Sequence, residues 1–311
     1  MHQTDDAFAG RRCVITGAAG FVGMALCRRL LEAGAEVHGI GRGQPPVAHT
    51  PFSSWTVCDV SELAQIKVAL GETRPHLIFH LASKVSGSQS LALVLPTLQA
   101  NLVGFVNVAL AAAELGCERI VTIGSLMEPD VQLPAVPPSP YAAAKFAASC
   151  YARMFASLYG LPVAIARLMM VYGPGQLDFA KVVPYVTSQL LSGQPAELSS
   201  GNQQFDWVFI DDVVDALLRI ALTPGLAGHT IDVGTGILTS VAEVAFGIAE
   251  RLKATKLLRL GALPDRKAEP TRRADVAATR DLLSWQARVD LASGLDATAT
   301  WYSGNPSVRV P

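Results

Sequence analysis

The sequence predicts an α/β fold built on a doubly wound parallel sheet, with a smaller, partly interleaved α+β domain attached. Three observations carry this. From Arg12 to Met169, short runs rich in β-branched residues alternate with helical patterns, the signature of parallel strands joined by right-handed crossovers. After the stretch VYGPGQ, Val171 to Gln176, the rhythm changes to short strands scattered among helices. Half of the 311 residues are apolar, which suffices for a substantial core.

In order, RCVITG reads as the first strand and Phe21 to Ala33 as an amphipathic helix. AEVHGI and SWTVCD are strands, a helix lies near Glu62 to Leu70, and HLIFHLA is the next strand. A long helix from about Leu98 to Leu115, the strand RIVTIG, a helix from Tyr141 to Tyr159 and the strand PVAIARLM complete the alternation. Residues 1–172 are thus expected to form a Rossmann-type dinucleotide-binding domain, with 205–235 returning to it. Residues 173–311 form the smaller, substrate-binding domain. The proline-rich segment EPDVQLPAVPPSP reads as an exposed loop beside the site.

Composition excludes several function classes. Net charge is −1, with no dense basic run, so the footprint of a nucleic-acid binder is missing and a small molecule is the expected partner. The N-terminus is polar and acidic, and no stretch of sequence reads as the roughly 20 apolar residues of a membrane span; the expected location is the cytoplasm. Five cysteines are scattered without a C-x-x-C pair and six histidines without metal-ligand spacing, so neither a disulfide framework nor a metal site is expected.

TGAAGFVG places Gly17, Gly20 and Gly23 at G-x-x-G-x-x-G spacing between a strand and a helix. Glycine is needed there because a Cβ would block the tight turn and keep the backbone from a pyrophosphate met by N–H groups at the helix N-terminus. The second strand runs into GIGRGQ, with Arg42 near its end and no acid until Asp59. A carboxylate at that strand end would bind the ribose 2′-hydroxyl of NAD, whereas an arginine suits a 2′-phosphate, so the sequence points to NADP(H) over NAD(H). Asp59 is placed to accept from the adenine amino group. His80 reads as a packed strand residue, and Ala82 and Ser83 let the following loop pass close to the cofactor.

Ser139 and Pro140 suit the N-cap and first position of a helix, whose first turns carry Tyr141 and Lys145. At i and i+4 the phenol and the ammonium share one helix face. A phenol near its ordinary pKa of about 10 is a poor base, and a neighbouring ammonium favours the phenolate. Ser125 lies just past the preceding strand, at the carboxyl edge where open α/β sheets bind ligands. A hydroxyl there can hydrogen-bond a carbonyl or alcohol while Tyr141 exchanges the proton. Ser125, Tyr141 and Lys145 are therefore the candidate catalytic set.

These motifs, with HLAS, Asn101 in ANLVGFVNV, RLMMVYGPGQ and FIDDVVDAL, resemble in order and spacing the extended short-chain dehydrogenase/reductase family of nucleotide-sugar epimerases, dehydratases and ketoreductases. The resemblance extends to about residue 303. It implies that Gly17, Gly20, Phe21, Val22, Gly23, Arg42, Asp59, Val60, Leu81, Ala82, Ser83 and Asn101 bind the cofactor together with Tyr141 and Lys145. Ser125, Tyr141 and Lys145 are then catalytic, with Lys145 also on the nicotinamide ribose. Lys84, Met170, Phe205 and Arg273 are the implied substrate contacts, Arg272 being the alternative to Arg273. In the family the two long helices pair across a two-fold axis, so a homodimer is expected.

Departures from the pattern narrow the activity. Sugar-nucleotide 4,6-dehydratases of the family carry Asp-Glu directly after the catalytic Ser or Thr, where this chain has Leu126 and Met127. Elimination of water then lacks its acid–base pair, and Glu128, one place further on, would need an altered loop. Met170 replaces an asparagine before VYGP, and Phe205 an arginine before Asp206. The expected function is reduction of a C4 keto group on a nucleotide-activated deoxysugar. A C4 epimerase or a reductase of a non-sugar natural-product ketone is the alternative; a non-catalytic nicotinamide-sensing module normally lacks the Tyr or the Lys.

Overall fold

The computed structural model describes residues 6–45, 51–129, 136–265 and 271–308. Residues 130–135 of the expected proline-rich loop lie outside the described residues. The chain divides into two compact units. The first comprises 1–168, 214–232 and 281–285, and the second 169–213, 233–280 and 286–311.

The first unit holds strands β1 (Arg12–Thr16), β2 (Glu36–Gly41), β3 (Ser54–Val57), β4 (Leu77–His80), β5 (Arg119–Ser125) and β6 (Val163–Leu168). With β10 (Thr230–Val233) they form a seven-stranded sheet in the order β10-β6-β5-β4-β1-β2-β3. The pairings from β3 to β6 are parallel. Strand order reverses between β1 and β4, which defines the switch point where such sheets bind ligands. Helices α1 (Phe21–Glu32), α2 (Leu63–Thr73), α3 (Val94–Leu98), α4 (Gly104–Leu115) and α5 (Pro140–Tyr159) supply the crossovers. One sheet face, with Val14, Ile40, Ile78, Ile120 and Ile165, packs on Ile66 and Leu70 of α2, Phe105 and Val108 of α4, and Ala152 and Phe155 of α5. Each large side chain so buried stabilises by about 1.5–3 kcal/mol relative to exposure.

Two features differ from expectation. Leu91 to Leu115 is one continuous helix, long and apolar enough by length and composition to cross a membrane, although the sequence suggested no such stretch. It serves here as a sheet helix, because Phe105, Val108, Ala109 and Ala112 are buried against the core. Its middle, Gln99–Val103, is a π-turn, a local widening common at functional sites.

The second unit contains a three-stranded sheet, β11-β9-β7, from Leu238–Ser240, Gln204–Phe209 and Met170–Tyr172. Strands β8 (Ala196–Glu197) and β12 (Leu258–Arg259) pair separately. Its helices are α6 (Val182–Leu191), α8 (Val241–Arg251), α9 (Val276–Leu283) and α10 (Leu291–Gly304); α7 (Ile210–Leu222) carries the chain back to the first unit. The returning segment is narrower than the expected 205–235, because β9 pairs with β7 and β11 and so belongs to the second unit. Asp206, fully buried, accepts from Thr235 N–H at 2.7 Å, Gly236 N–H at 2.8 Å and Ala274 N–H at 2.9 Å, pinning two loops of that unit to β9.

Candidate active site

The glycine turn follows β1 directly. Gly17 adopts φ +70°, and a Cβ there would lie 2.7 Å from the Ala82 nitrogen; a Cβ on Gly23 would lie 2.4 Å from the Gly17 carbonyl oxygen. The loop after β4 therefore passes over the turn at a distance only glycine permits. Thr16 Oγ1 accepts from Ala82 N–H at 3.2 Å and bonds His80 Nδ1 at 2.9 Å, latching the two strand ends together. Helix α1 begins at Gly20, which provides no side-chain cap. Its first N–H groups are thus left for an external anion. A backbone cradle that Cβ atoms would fill, beside an uncapped helix N-terminus, fits a dinucleotide pyrophosphate.

The other expected cofactor residues surround this cradle with differing roles. Val60 is buried, Phe21, Val22, Leu81, Ala82 and Ser83 are partly exposed, and Arg42 is exposed. Asp59 Oδ1 accepts from Ser61 N–H at 2.9 Å and from the Ser61 hydroxyl at 2.8 Å, which orients the carboxylate at the start of a turn. Asn101, on the π-turn and 2% exposed, accepts from the Ser83 hydroxyl at 3.0 Å and from Lys84 N–H at 2.8 Å, and donates to the Lys84 carbonyl at 3.1 Å. Its amide thus holds the 83–84 loop.

The candidate catalytic residues converge. Ser139 caps α5 by accepting from Ala142 N–H at 3.2 Å, with Pro140 in the first turn, as the sequence suggests. Tyr141 and Lys145 follow on one face, both buried, and Ser125 is buried at the end of β5. The Ser125 side chain acts on the Tyr141 phenol, drawing its pKa downward, and its hydroxyl accepts from Met127 N–H at 3.2 Å. Lys145 Nζ donates to the Ile123 carbonyl at 2.9 Å.

The electrostatics differ from the simple expectation that Lys145 draws the phenol toward ionisation. Burial pushes Tyr141 up to about 12, opposed by the Ser125 hydrogen bond and reinforced by the Glu128 charge. Burial pulls Lys145 down to about 8, against the influence of Glu128. In this state the phenol keeps its proton, because desolvation outweighs the neighbouring charges. Tyr141 is therefore poised as a proton donor.

The model of the NAD dependent epimerase/dehydratase family matches residues 13–234. The chain belongs to this family. The UDP-glucose 4-epimerase of Mycolicibacterium smegmatis is 33% identical to it over 315 residues, covering 94% of this chain and 98% of that enzyme. The dTDP-glucose 4,6-dehydratase of Neisseria meningitidis serogroup B is 27% identical, covering 95% and 94%. Among solved structures, the epimerase Mth375 of Methanothermobacter thermautotrophicus superposes with a TM-score of 0.86 at 25% identity, covering 98% of this chain and 96% of that one. DesIV of Streptomyces venezuelae, a dTDP-glucose 4,6-dehydratase solved with NAD bound, gives 0.84 at 25% identity, covering 95% and 98%. As a member of the epimerase/dehydratase family, the protein is a nicotinamide-dependent enzyme of the extended short-chain dehydrogenase/reductase type.

Of the expected substrate residues, Lys84 lies in the first unit and Met170, Phe205 and Arg273 in the second. Phe205 is 5% exposed and packs edge-on against Trp207, ring centroids 6.0 Å apart. Arg273 is exposed and precedes Ala274, whose N–H Asp206 holds. One residue at the site was missed as a participant. Glu128 turns back beneath β5 and is buried at 4% exposure; an acid followed by proline immediately after a buried strand was the available signal.

Proposed function

We propose that this enzyme transfers hydride at C4 of a nucleotide-activated sugar, with Tyr141 as the proton-exchanging group. The observation that carries this reading is the burial of Ser125 at the end of β5 together with Tyr141 and Lys145, one helical turn apart at the start of α5. A substrate oxygen seated between the two hydroxyls would meet two donors at once. Tyr141 gives its proton to the oxygen of a ketone as it becomes an alcohol, or takes it back in the reverse direction. Ser125 holds the same oxygen, and Lys145 fixes the electrostatic setting of the phenol. The bound nicotinamide supplies or accepts the hydride. Leu126 and Met127 are apolar where the family's dehydratases carry an acid and a base, and the nearby Glu128 carboxylate is engaged by the Ser125 N–H, which disfavours elimination of water as the activity.

Two outcomes use the same residues. Net reduction with NADP(H) is supported by Arg42 and by the lack of an acid at the end of β2. C4 epimerisation with a retained NAD is supported by the full-length similarity to the M. smegmatis UDP-glucose 4-epimerase. Denaturing the purified protein and identifying released nicotinamide and nucleotide separates them, followed by incubation with UDP- and dTDP-hexoses and their 4-keto forms. Stoichiometric retained NAD with interconversion of C4 epimers supports epimerisation, whereas consumption of added NADPH supports reduction. Failure of hydride transfer with every nucleotide sugar, alongside turnover of a simple ketone, would overturn the substrate class.

The protein is further proposed to act as a cytoplasmic homodimer. Leu95, Leu98, Leu110, Tyr151 and Leu158 on α3, α4 and α5 are exposed, and an apolar face of this kind calls for a partner.

A further inference from the structure

Glu128 touches the catalytic set without sharing its chemistry. Its N–H donates to the Ser125 carbonyl at 3.1 Å, closing a turn that brings the side chain back under the strand. There Oε1 accepts the Ser125 N–H at 2.7 Å. A Cβ on Gly124 would stand 2.8 Å from that oxygen, so glycine at 124 admits the carboxylate. The Ser149 side chain also acts on it, drawing its pKa downward. Tyr141, Lys145 and Ser149 are spaced i, i+4 and i+8 on α5, placing all three on one face.

Among the described residues, the charges acting on Glu128 come from two neighbouring elements. Lys145 of α5 and Arg167 of β6 are the cations acting on Glu128, and Arg167 is paired with Asp232 of β10 at 2.6 Å. Tyr141 is the other group of α5 on which the Glu128 charge acts. His80 of β4 is neutral, since burial and then the Lys145 charge push it down to about 3. Burial raises the Glu128 carboxyl, while the Ser125 N–H, the Ser149 hydroxyl, Arg167 and Lys145 all pull it back.

We propose that Glu128 is a positioning residue: ionised and buried behind Ser125, it fixes the Ser125 backbone and keeps Lys145 in its ammonium form. The proposal rests on the assignment of Ser125, Tyr141 and Lys145 as the catalytic set. The physical reason is that Lys145 is almost fully buried, and an ammonium without a counter-charge in such a place loses its proton easily. Glu128 is the charge that opposes this loss. The same charge raises the phenol, so one carboxylate helps retain both protons.

The direct test follows the Lys145 side chain by carbon-13 NMR in protein labelled at lysine Cε, the signal being assigned by its absence in Lys145→Arg. It needs neither substrate nor cofactor, so it stands or falls separately from the proposed activity. The parent should titrate near 8. Glu128→Gln keeps the shape and an acceptor for the Ser125 N–H but removes the charge. It should lower the Lys145 midpoint by about one pH unit or more, a tenfold loss of proton affinity. Glu128→Asp, which keeps the charge, should stay within about half a unit of the parent. In the active enzyme the pH limb of hydride transfer should move with the Lys145 midpoint while KM stays unchanged; a purely structural role would lower the rate at all pH values without moving the limb. A folded Glu128→Gln protein with an unshifted Lys145 midpoint overturns the proposal, as does an Asp variant that shifts as far as Gln. If Glu128→Gln does not fold, the carboxyl carbon of Glu128 in the parent decides: an ionised signal at neutral pH supports the proposal and a protonated one overturns it.

Discussion

The ammonium of Lys145 donates to the carbonyl of Ile123 at 2.9 Å, tying the helix that carries Tyr141 to the strand that ends in Ser125. The two proposed catalytic hydroxyls are thereby held by elements whose separation a single buried side chain bridges. Replacing Lys145 with Met keeps most of the stem packing and removes this bond and its charge. Turnover should fall by about 10²-fold or more, and nicotinamide affinity by roughly tenfold, the scale of one charge-assisted hydrogen bond. Titration calorimetry alongside steady-state rates checks both, and unchanged values of each would contradict the role.

His80 makes the fold sensitive to mild acid. Burial first, and Lys145 second, hold its pKa down to about 3 against an ordinary value of 6.5. The folded state therefore keeps it neutral, while the unfolded chain takes up a proton below pH 6.5. Its contribution to stability is complete above that pH and is lost as the pH falls through the window from 6.5 toward 3, by at most about 1.4 kcal/mol per unit. Urea unfolding at pH 7.5, 6 and 5 should show this loss, and His80→Asn should show a shallower one. Equal pH slopes for the two proteins would remove His80 as the cause.

Cofactor choice turns on Arg42. Arg42→Asp should weaken NADPH binding by about 1–3 kcal/mol, as for a charge-assisted contact to phosphate, and leave NADH binding unchanged or improved. A parent protein that already binds NADH more tightly than NADPH would show the preference to be wrong.

Self-association should be visible in solution. Light scattering at micromolar concentration is expected to give twice the 32.8 kDa chain mass, and Leu158→Glu, on an exposed position of α5, should shift the population toward monomer. A strictly monomeric parent would contradict the homodimer.

The sheet, and the placing of the candidate catalytic residues at a strand end and a helix start, were legible because each rests on local pattern. The glycines at 17, 20 and 23 announce a close backbone approach, and Ser139–Pro140 announces the helix that presents Tyr141 and Lys145. What escaped depends on contacts distant in sequence or on backbone detail. Nothing local reveals that Gln99–Val103 widens into a π-turn, or that Asn101 is spent on the loop at Lys84. Phe205 looks like a substituted substrate contact in the sequence, which does not show that its ring is buried against Trp207. The carboxylate of Glu128 becomes meaningful only once the turn folds it back onto the Ser125 N–H. The pKa order at the site was equally hidden, since it depends on burial that the sequence does not quantify.

The central claim is that the Tyr141 hydroxyl moves the proton that accompanies hydride transfer. Tyr141→Phe removes that hydroxyl and almost none of the packing, so the melting temperature and nicotinamide affinity should match the parent. Single-turnover hydride transfer, followed by nicotinamide absorbance on the substrate identified above, should slow by about 10²-fold or more. A Tyr141→Phe protein that binds cofactor normally and transfers hydride at the parent rate would contradict the account.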